Sequence, residues 1–165
     1  MHKINNQKKA YNFINAGDLC SFSGKLILIR DQSLERLKNE KKPPISFENA
    51  VVFFCGPTPT PKSKITGSIG PTTTERMQDY FEMLFKLGAI SLIGKGGIKD
   101  KYINIFKDKG CLMSVTGGVG AFLSKKVISS KILAYEDLLA EAIREMEVDD
   151  LPCVCVVDKN GKKII

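Results

Sequence analysis

A chain of 165 residues, 43% hydrophobic and 26% charged, is long enough to bury one core and has the make-up of an ordinary globular domain. Its formal net charge of +7 suits a lysine-rich solvated surface, and equally attraction to an anion such as nucleic acid or a small acidic molecule. The one histidine, His2, stands at the terminus, which excludes a Ser-His-Asp triad or a multi-histidine metal site built from this chain alone.

Five cysteines (Cys20, Cys55, Cys111, Cys153, Cys155) are scattered, odd in number and without a CxxC pair, the pattern of reduced thiols in a cytoplasmic protein. The opening MHKINNQKKA has no apolar core, so no signal peptide is expected, and no apolar run has the length of a membrane span.

In chain order, residues 1–20 hold a short amphipathic start and the turn AGD. KLILI (25–29) reads as a buried strand ending at Arg30-Asp31. QSLERLKNEKK (32–42) is helical in propensity and is stopped by Pro43-Pro44. AVVFFC (50–55) is a second apolar strand, followed by GPTPTPKSK, whose alternate prolines enforce extended backbone. Met77, Tyr80, Phe81, Leu84 and Leu87 recur at helical spacing, with Gly88 as the stop. AISLIG (89–94) is a strand ending at Lys95-Gly96-Gly97. KDKYINIFKDKG then reads as a helix, CLMSV as a strand and TGGVGAFLSKKV as a glycine turn opening a short helix. KILAY is a strand, EDLLAEAIREMEV a helix with acids at its start, and PCVCVVD the last strand. Strands alternating with helices predict α/β layers. Cys153 and Cys155 share one side of the last strand and read as buried core thiols.

The segment GSIGPTTTERM (67–77) raises a local conflict. Thr72 and Glu75 fit a capping box. Arg76 does not, because a cation in the first helical turn is disfavoured by roughly 0.3–1 kcal/mol. The conflict disappears if an anion docks there, held by the helix-start amides and gripped by the planar fork of Arg76. The chain makes its positive charge mostly with lysine and has only four arginines (Arg30, Arg36, Arg76, Arg144), so each is a candidate for such a grip. Lys95, preceding two glycines at a strand end, and Arg30-Asp31, also at a strand end, are further candidates. Their bland alternatives are a solvated turn lysine and a local ion pair. GAISLIGKGG imitates a P-loop but is one residue too long and has Gly96 where a Ser or Thr would hold magnesium. TGGVG is not a GxGxxG signature.

Together, GDLCSFSGKLILIRD, GPTPTPKSKITGSIGPTTTERM, GKGG, TGGVGAFL and AIREMEVDDLPCVCVVDKNGK resemble, in order, the C-terminal region of class I iron–sulfur fumarate hydratases and the β subunit of L-tartrate dehydratase. The resemblance implies a swivelling β/β/α-type single domain with a mostly parallel central sheet. Residues 1–16 would form an N-terminal extension and 17–165 the catalytic domain. It places a substrate-clamping arginine on Arg30, next to Asp31, the GPTT segment on Gly70, Thr72 and Thr73, an anion-gripping arginine on Arg76 and an active-site lysine on Lys95. Thr72 would act in proton transfer, with Thr73 beside it. Leu34 stands where the family carries a histidine. The implied cofactor is a [4Fe–4S] cluster ligated by the partner α subunit and not by this chain. The implied reaction is reversible dehydration of a hydroxy-dicarboxylic acid, (S)-malate to fumarate or L(+)-tartrate to oxaloacetate. The implied assembly is an α2β2-like hetero-oligomer, or a homodimer when isolated, with no nucleic acid and no membrane. The readings of a different class are a non-catalytic anion-binding module and a nucleic-acid-binding α/β module. Against the second, the phenylalanines sit mostly in apolar element patterns and are not interleaved with basic residues.

Overall fold

The structure, a computed structural model, describes residues 1–164. Four short apolar segments form parallel neighbours: β2 (Leu19–Ile29), β3 (Val51–Phe54), β4 (Ser91–Gly94) and β5 (Cys111–Ser114). The long β7 (Ile143–Val157) runs antiparallel to both β2 and β5, so these five strands close on themselves as a small barrel. Closure removes the two exposed edges that an open five-stranded sheet would present. β1 (His2–Ile4) is added parallel to β2, and β6 (Val127–Ala134) antiparallel to β7. Four ladders are parallel and three antiparallel, so the sheet is mixed.

The apolar runs are nearly continuous because both faces of these strands are covered. Leu26, Leu28, Val51, Phe53, Ile93, Cys111 and Met113 point one way and share a core with Met146, Cys153 and Cys155 of β7. The alternate residues Ile27, Ile29, Val52, Phe54, Leu92 and Leu112 form a second core under α1 (Asp31–Asn39) and α2 (Phe81–Lys86). Phe81 anchors that outer layer. It stacks on Phe54 with centroids 5.9 Å apart and meets Phe106 edge-on at 5.5 Å. Burial of one such ring is worth about 1.5–3 kcal/mol. Leu34, which the resemblance sets against a histidine, is fully buried in the same layer. All five cysteines are buried free thiols, Cys153 and Cys155 in the same core as expected. Residues 1–16 contribute β1 and the buried Ile4, Tyr11 and Ile14.

Four sequence expectations need correction. EDLLAEAIREMEV is not a helix. Glu136–Glu141 is an irregular 3₁₀ turn interrupted at Leu139, and from Ile143 the chain is already β7. Glu, Ala, Leu and Met favour a helix, but residues 143–148 hydrogen-bond to β2 on one side and β6 on the other, and that pairing overrides propensity. The helix after the threonines starts as a 3₁₀ segment, Thr74–Tyr80, before α2 begins. Nor does Thr72 cap it: the N-cap residue is Thr73, no side chain caps that end, and Glu75 pairs outward with Lys99 at 3.2 Å. KDKYINIFKDKG likewise forms a 3₁₀ segment, Asp100–Phe106. No helix of the described residues is long and apolar enough to cross a membrane.

Candidate functional site

Parallel strands bring their C-terminal ends to one edge, the usual place for ligands in α/β sheets. At this edge β2 runs into Arg30, β3 into Cys55-Gly56, β4 into Lys95 and β5 into Val115, with the glycine turn beginning at Gly117.

The threonine segment crosses this edge. The Thr72 amide donates to the Phe54 carbonyl (2.7 Å), and the Lys95 amide donates to the Thr72 carbonyl (3.1 Å). The Thr74 amide then donates to the Lys95 carbonyl (3.0 Å), which makes Thr73 and Lys95 a one-residue parallel bridge. Thr72 is only 8% exposed. Thr74 is fully buried with its hydroxyl unpartnered, pressed on Gly94 where a Cβ would stand. Thus the run of threonines is fixed by backbone pairing and not by a helix cap.

Arg30 and Arg76 meet at Asp31. Arg30 Nε lies 3.1 Å from Asp31 Oδ2, and Arg76 Nη2 donates to Asp31 Oδ1. Glu141 adds a second carboxylate, 3.3 Å from Arg30 Nε. The Arg30 backbone is held as well. Its amide donates to Ser33 Oγ (3.2 Å), and that hydroxyl donates back to the Arg30 carbonyl (3.0 Å) at the start of α1. Arg30 passes over Gly56, where an added Cβ would come within 2.7 Å of Arg30 Cδ. Lys95 passes over Gly117, whose Cβ would come within 3.0 Å of Lys95 Cδ. Two glycines therefore make room for two cationic side chains. Among the described residues Lys95 has no acidic partner, whereas Arg30 and Arg76 each have one or more. Arg76 remains 54% exposed.

Of the residues singled out in the sequence, Arg30, Asp31 and Arg76 form one contact cluster, and Thr72, Thr73 and Lys95 another. The end of β3 touches both, through Phe54 and Gly56. Gly70 stands apart from the side chains and packs on the glycine turn: a Cβ on Gly120 would meet the Gly70 amide at 2.8 Å. Asp31, also a substrate-binding candidate from the sequence, gives one oxygen to each of the two arginines. Glu141, Gly56 and Gly117 carried no distinguishing sequence signal. A shallow depression of about 320 Å³ beside Lys95 is lined by Thr73, Gly96, Gly97 and Lys99 among others. A larger cleft, about 540 Å³, lies between the proline-rich loop and Ala121–Val127 and has no arginine in its lining.

The chain's sulfur does not suit an iron–sulfur cluster. Among the described residues no three His, Cys, Asp or Glu side chains are disposed to hold a metal ion. Cys55 is the only cysteine at the end of β3, and burial pushes its thiol up to about 12 against the opposing charge of Arg30. A thiol held protonated in this way is a poor cluster ligand.

Fold and site define a small α/β barrel domain that gathers arginine and lysine at the C-terminal ends of parallel strands. The chain belongs to the fumarase C-terminus family, whose model matches residues 2–165. It is 32% identical over 168 residues to the protein named "Putative L(+)-tartrate dehydratase subunit beta" of Methanocaldococcus jannaschii, covering 95% of this chain and 86% of that one. To the aerobic class I fumarate hydratase of Escherichia coli it is 31% identical over 148 residues, 86% of this chain and 27% of the relative. Fumarate hydratase 2 of Leishmania major is 30% identical over 152 residues, 88% of this chain and 27% of the relative. The chain thus spans about a quarter of the length of the fumarate hydratases it matches.

Proposed function

We propose that this chain is the β-type part of a class I hydro-lyase that reversibly dehydrates a hydroxy-dicarboxylic acid, (S)-malate to fumarate. The observation that carries the reading is the placement of Arg30, Arg76 and Lys95 at one strand edge, two of them clamped by a single carboxylate. Arginine and lysine so placed suit a dianion, since each guanidinium can offer a bidentate fork. The relatives named as hydratases and dehydratases point to the same class of chemistry.

In this reading the cations hold the substrate in one orientation. Loss of the proton next to a carboxylate builds further negative charge on that group. Fixed cations stabilise this charge more in the transition state than in the ground state, which is the condition for catalysis. Thr72 and Thr73 lie against the backbone of Lys95. Thr72 is a weak base at its ordinary pKa, so its part in proton transfer requires the neighbouring cations. The [4Fe–4S] cluster belongs to a partner α subunit in this reading, because this chain's cysteines do not fit it. A cytoplasmic hetero-oligomer with that subunit is the corresponding assembly. L(+)-tartrate is the second substrate reading, favoured by the Methanocaldococcus relative, which this chain matches over 86% of its length.

Anaerobic co-expression with a cysteine-bearing partner chain, followed by assays on (S)-malate and L(+)-tartrate, tests the proposal. Turnover of one of them by the complex, and of neither by this chain alone, is the expected result. Full activity of the chain alone in air and without iron would overturn it.

A further inference from the structure

The arginine cluster contains a carboxylate that the reading above does not use. Glu141 ends the irregular turn after β6 and is 16% exposed. Its Oε1 lies 3.3 Å from Arg30 Nε, and its Oε2 accepts the Gln32 amide at 2.6 Å. One side chain thus ties the first turn of α1 to the Arg30 guanidinium. The backbone just before it closes the same slot. The Ala140 carbonyl lies 2.9 Å from where a Cβ on Gly56 would stand, beside Arg30 Cδ at 2.7 Å and Nη1 at 3.1 Å. Arg30 therefore runs between Gly56 and residues 140–141. The single Nε–H donates to Asp31, and Glu141 Oε1 is an ion-pair neighbour 3.3 Å from the same nitrogen without a hydrogen bond. Among the described residues neither terminal nitrogen meets an acceptor. A guanidinium has five N–H groups in a fixed plane, so holding Nε fixes where the other four are presented.

We infer that Glu141 is a positioning residue of the dicarboxylate site, an ion-pair partner that holds the Arg30 guanidinium against the first turn of α1 so that its terminal nitrogens are preset for a substrate carboxylate. The inference rests on the functional reading above. It also has a rival with the opposite sign: a carboxylate this close to Arg30 could compete with substrate for it. Positioning predicts weaker dianion binding when Glu141 is lost, and competition predicts tighter binding.

The test uses the full chain labelled with ¹⁵N-arginine and titrated with succinate, an unreactive dianion. With four arginines the Nε–Hε spectrum is simple to assign. Glu141→Ala leaves the bond from Nε–H to Asp31 in place but should shift the Arg30 signal from its wild-type position and weaken succinate binding about tenfold, the lower end of what supporting residues contribute. Glu141→Gln keeps only one of the two oxygens, so it should recover part of each. Thermal unfolding of the two variants should stay close to wild type, since a merely structural role would lower it without moving the Arg30 signal. An unmoved Arg30 Nε–Hε signal in Glu141→Ala, or tighter succinate binding, would overturn the inference. A wild-type chain whose Arg30 and Arg76 signals ignore succinate would instead overturn the dicarboxylate reading, and with it the ground for the inference.

Discussion

Thr73 and Lys95 are bridged by main-chain atoms alone: the Lys95 amide donates to the Thr72 carbonyl and the Lys95 carbonyl accepts the Thr74 amide. The lysine side chain takes no part in that bridge and has no acidic partner among the described residues. Lys95→Met should therefore leave the fold intact while removing a site cation. Turnover by the reconstituted complex is expected to fall by about 10²–10³-fold, as when one fixed charge-stabilising donor is lost. Unfolding temperature should stay close to wild type. A wild-type rate in Lys95→Met would remove this lysine from the site.

Arg76 shares Asp31 with Arg30. Lysine at position 76 keeps the charge but offers no planar fork, so it cannot hold Asp31 and a substrate carboxylate in the same geometry. Arg76→Lys is expected to keep its circular dichroism spectrum and lose most turnover, on the order of 10²-fold. An unchanged rate would show that Arg76 acts through charge alone.

Arg76 also shows how the sequence was informative and where it ran out. A cation in a first helical turn raised the need for an anion to dock there. In the folded chain an internal carboxylate, Asp31, meets it. That partner lies 45 positions away and could not be inferred from local pattern. The parallel strands β2 to β5 were legible because each holds a short apolar run that stops at or near a charge or a glycine. The stretch EDLLAEAIREMEV, which runs into the first half of β7, was not, because Glu, Ala, Leu and Met favour a helix and only pairing with β2 and β6 decides against it. Glu141 sits in that misread stretch, so it was invisible as a site residue. Barrel closure by β2 and β7 is a long-range pairing without a local signature.

Gly94 lies beneath Thr74. An added Cβ would strike Thr74 Oγ1 and stand 3.2 Å from Thr74 Cβ and 3.3 Å from the Phe54 ring. Gly94→Ala should destabilise the protein by about 1–3 kcal/mol through overpacking. Thr74→Ala removes a buried hydroxyl that has no partner and should itself cost little. The double variant should recover most of the loss in denaturant titrations. Simple additivity of the two changes would count against this contact.

Leu139 has φ 53° and ψ −109°, a conformation natural to glycine and costly for leucine. At 75% exposure its side chain secures little packing. Leu139→Gly relieves strain of about 1–3 kcal/mol and adds an unfolded-state entropy cost of about 0.5–1 kcal/mol. A net gain of about 1 kcal/mol is expected, seen as a rise of roughly 2–4 °C in unfolding temperature. A fall would mean that residues 136–141 depend on the leucine side chain.

Asp150 ties β2 to the residues before β6. It accepts a bond from the Ser21 hydroxyl and pairs with Lys126 Nζ at 3.0 Å. Those two contacts, the hydroxyl first, hold its carboxyl below its ordinary 3.8. A carboxyl depressed in the folded state binds its proton more readily when unfolded. Its stabilisation is complete above the ordinary value and is lost as pH falls through the lower folded-state value. Thermal unfolding of wild type should therefore drop more steeply below about pH 4 than that of Asp150→Asn, and the two curves should converge in strong acid. Parallel curves across that range would show that the Ser21 and Lys126 contacts do not outlast the competition with water.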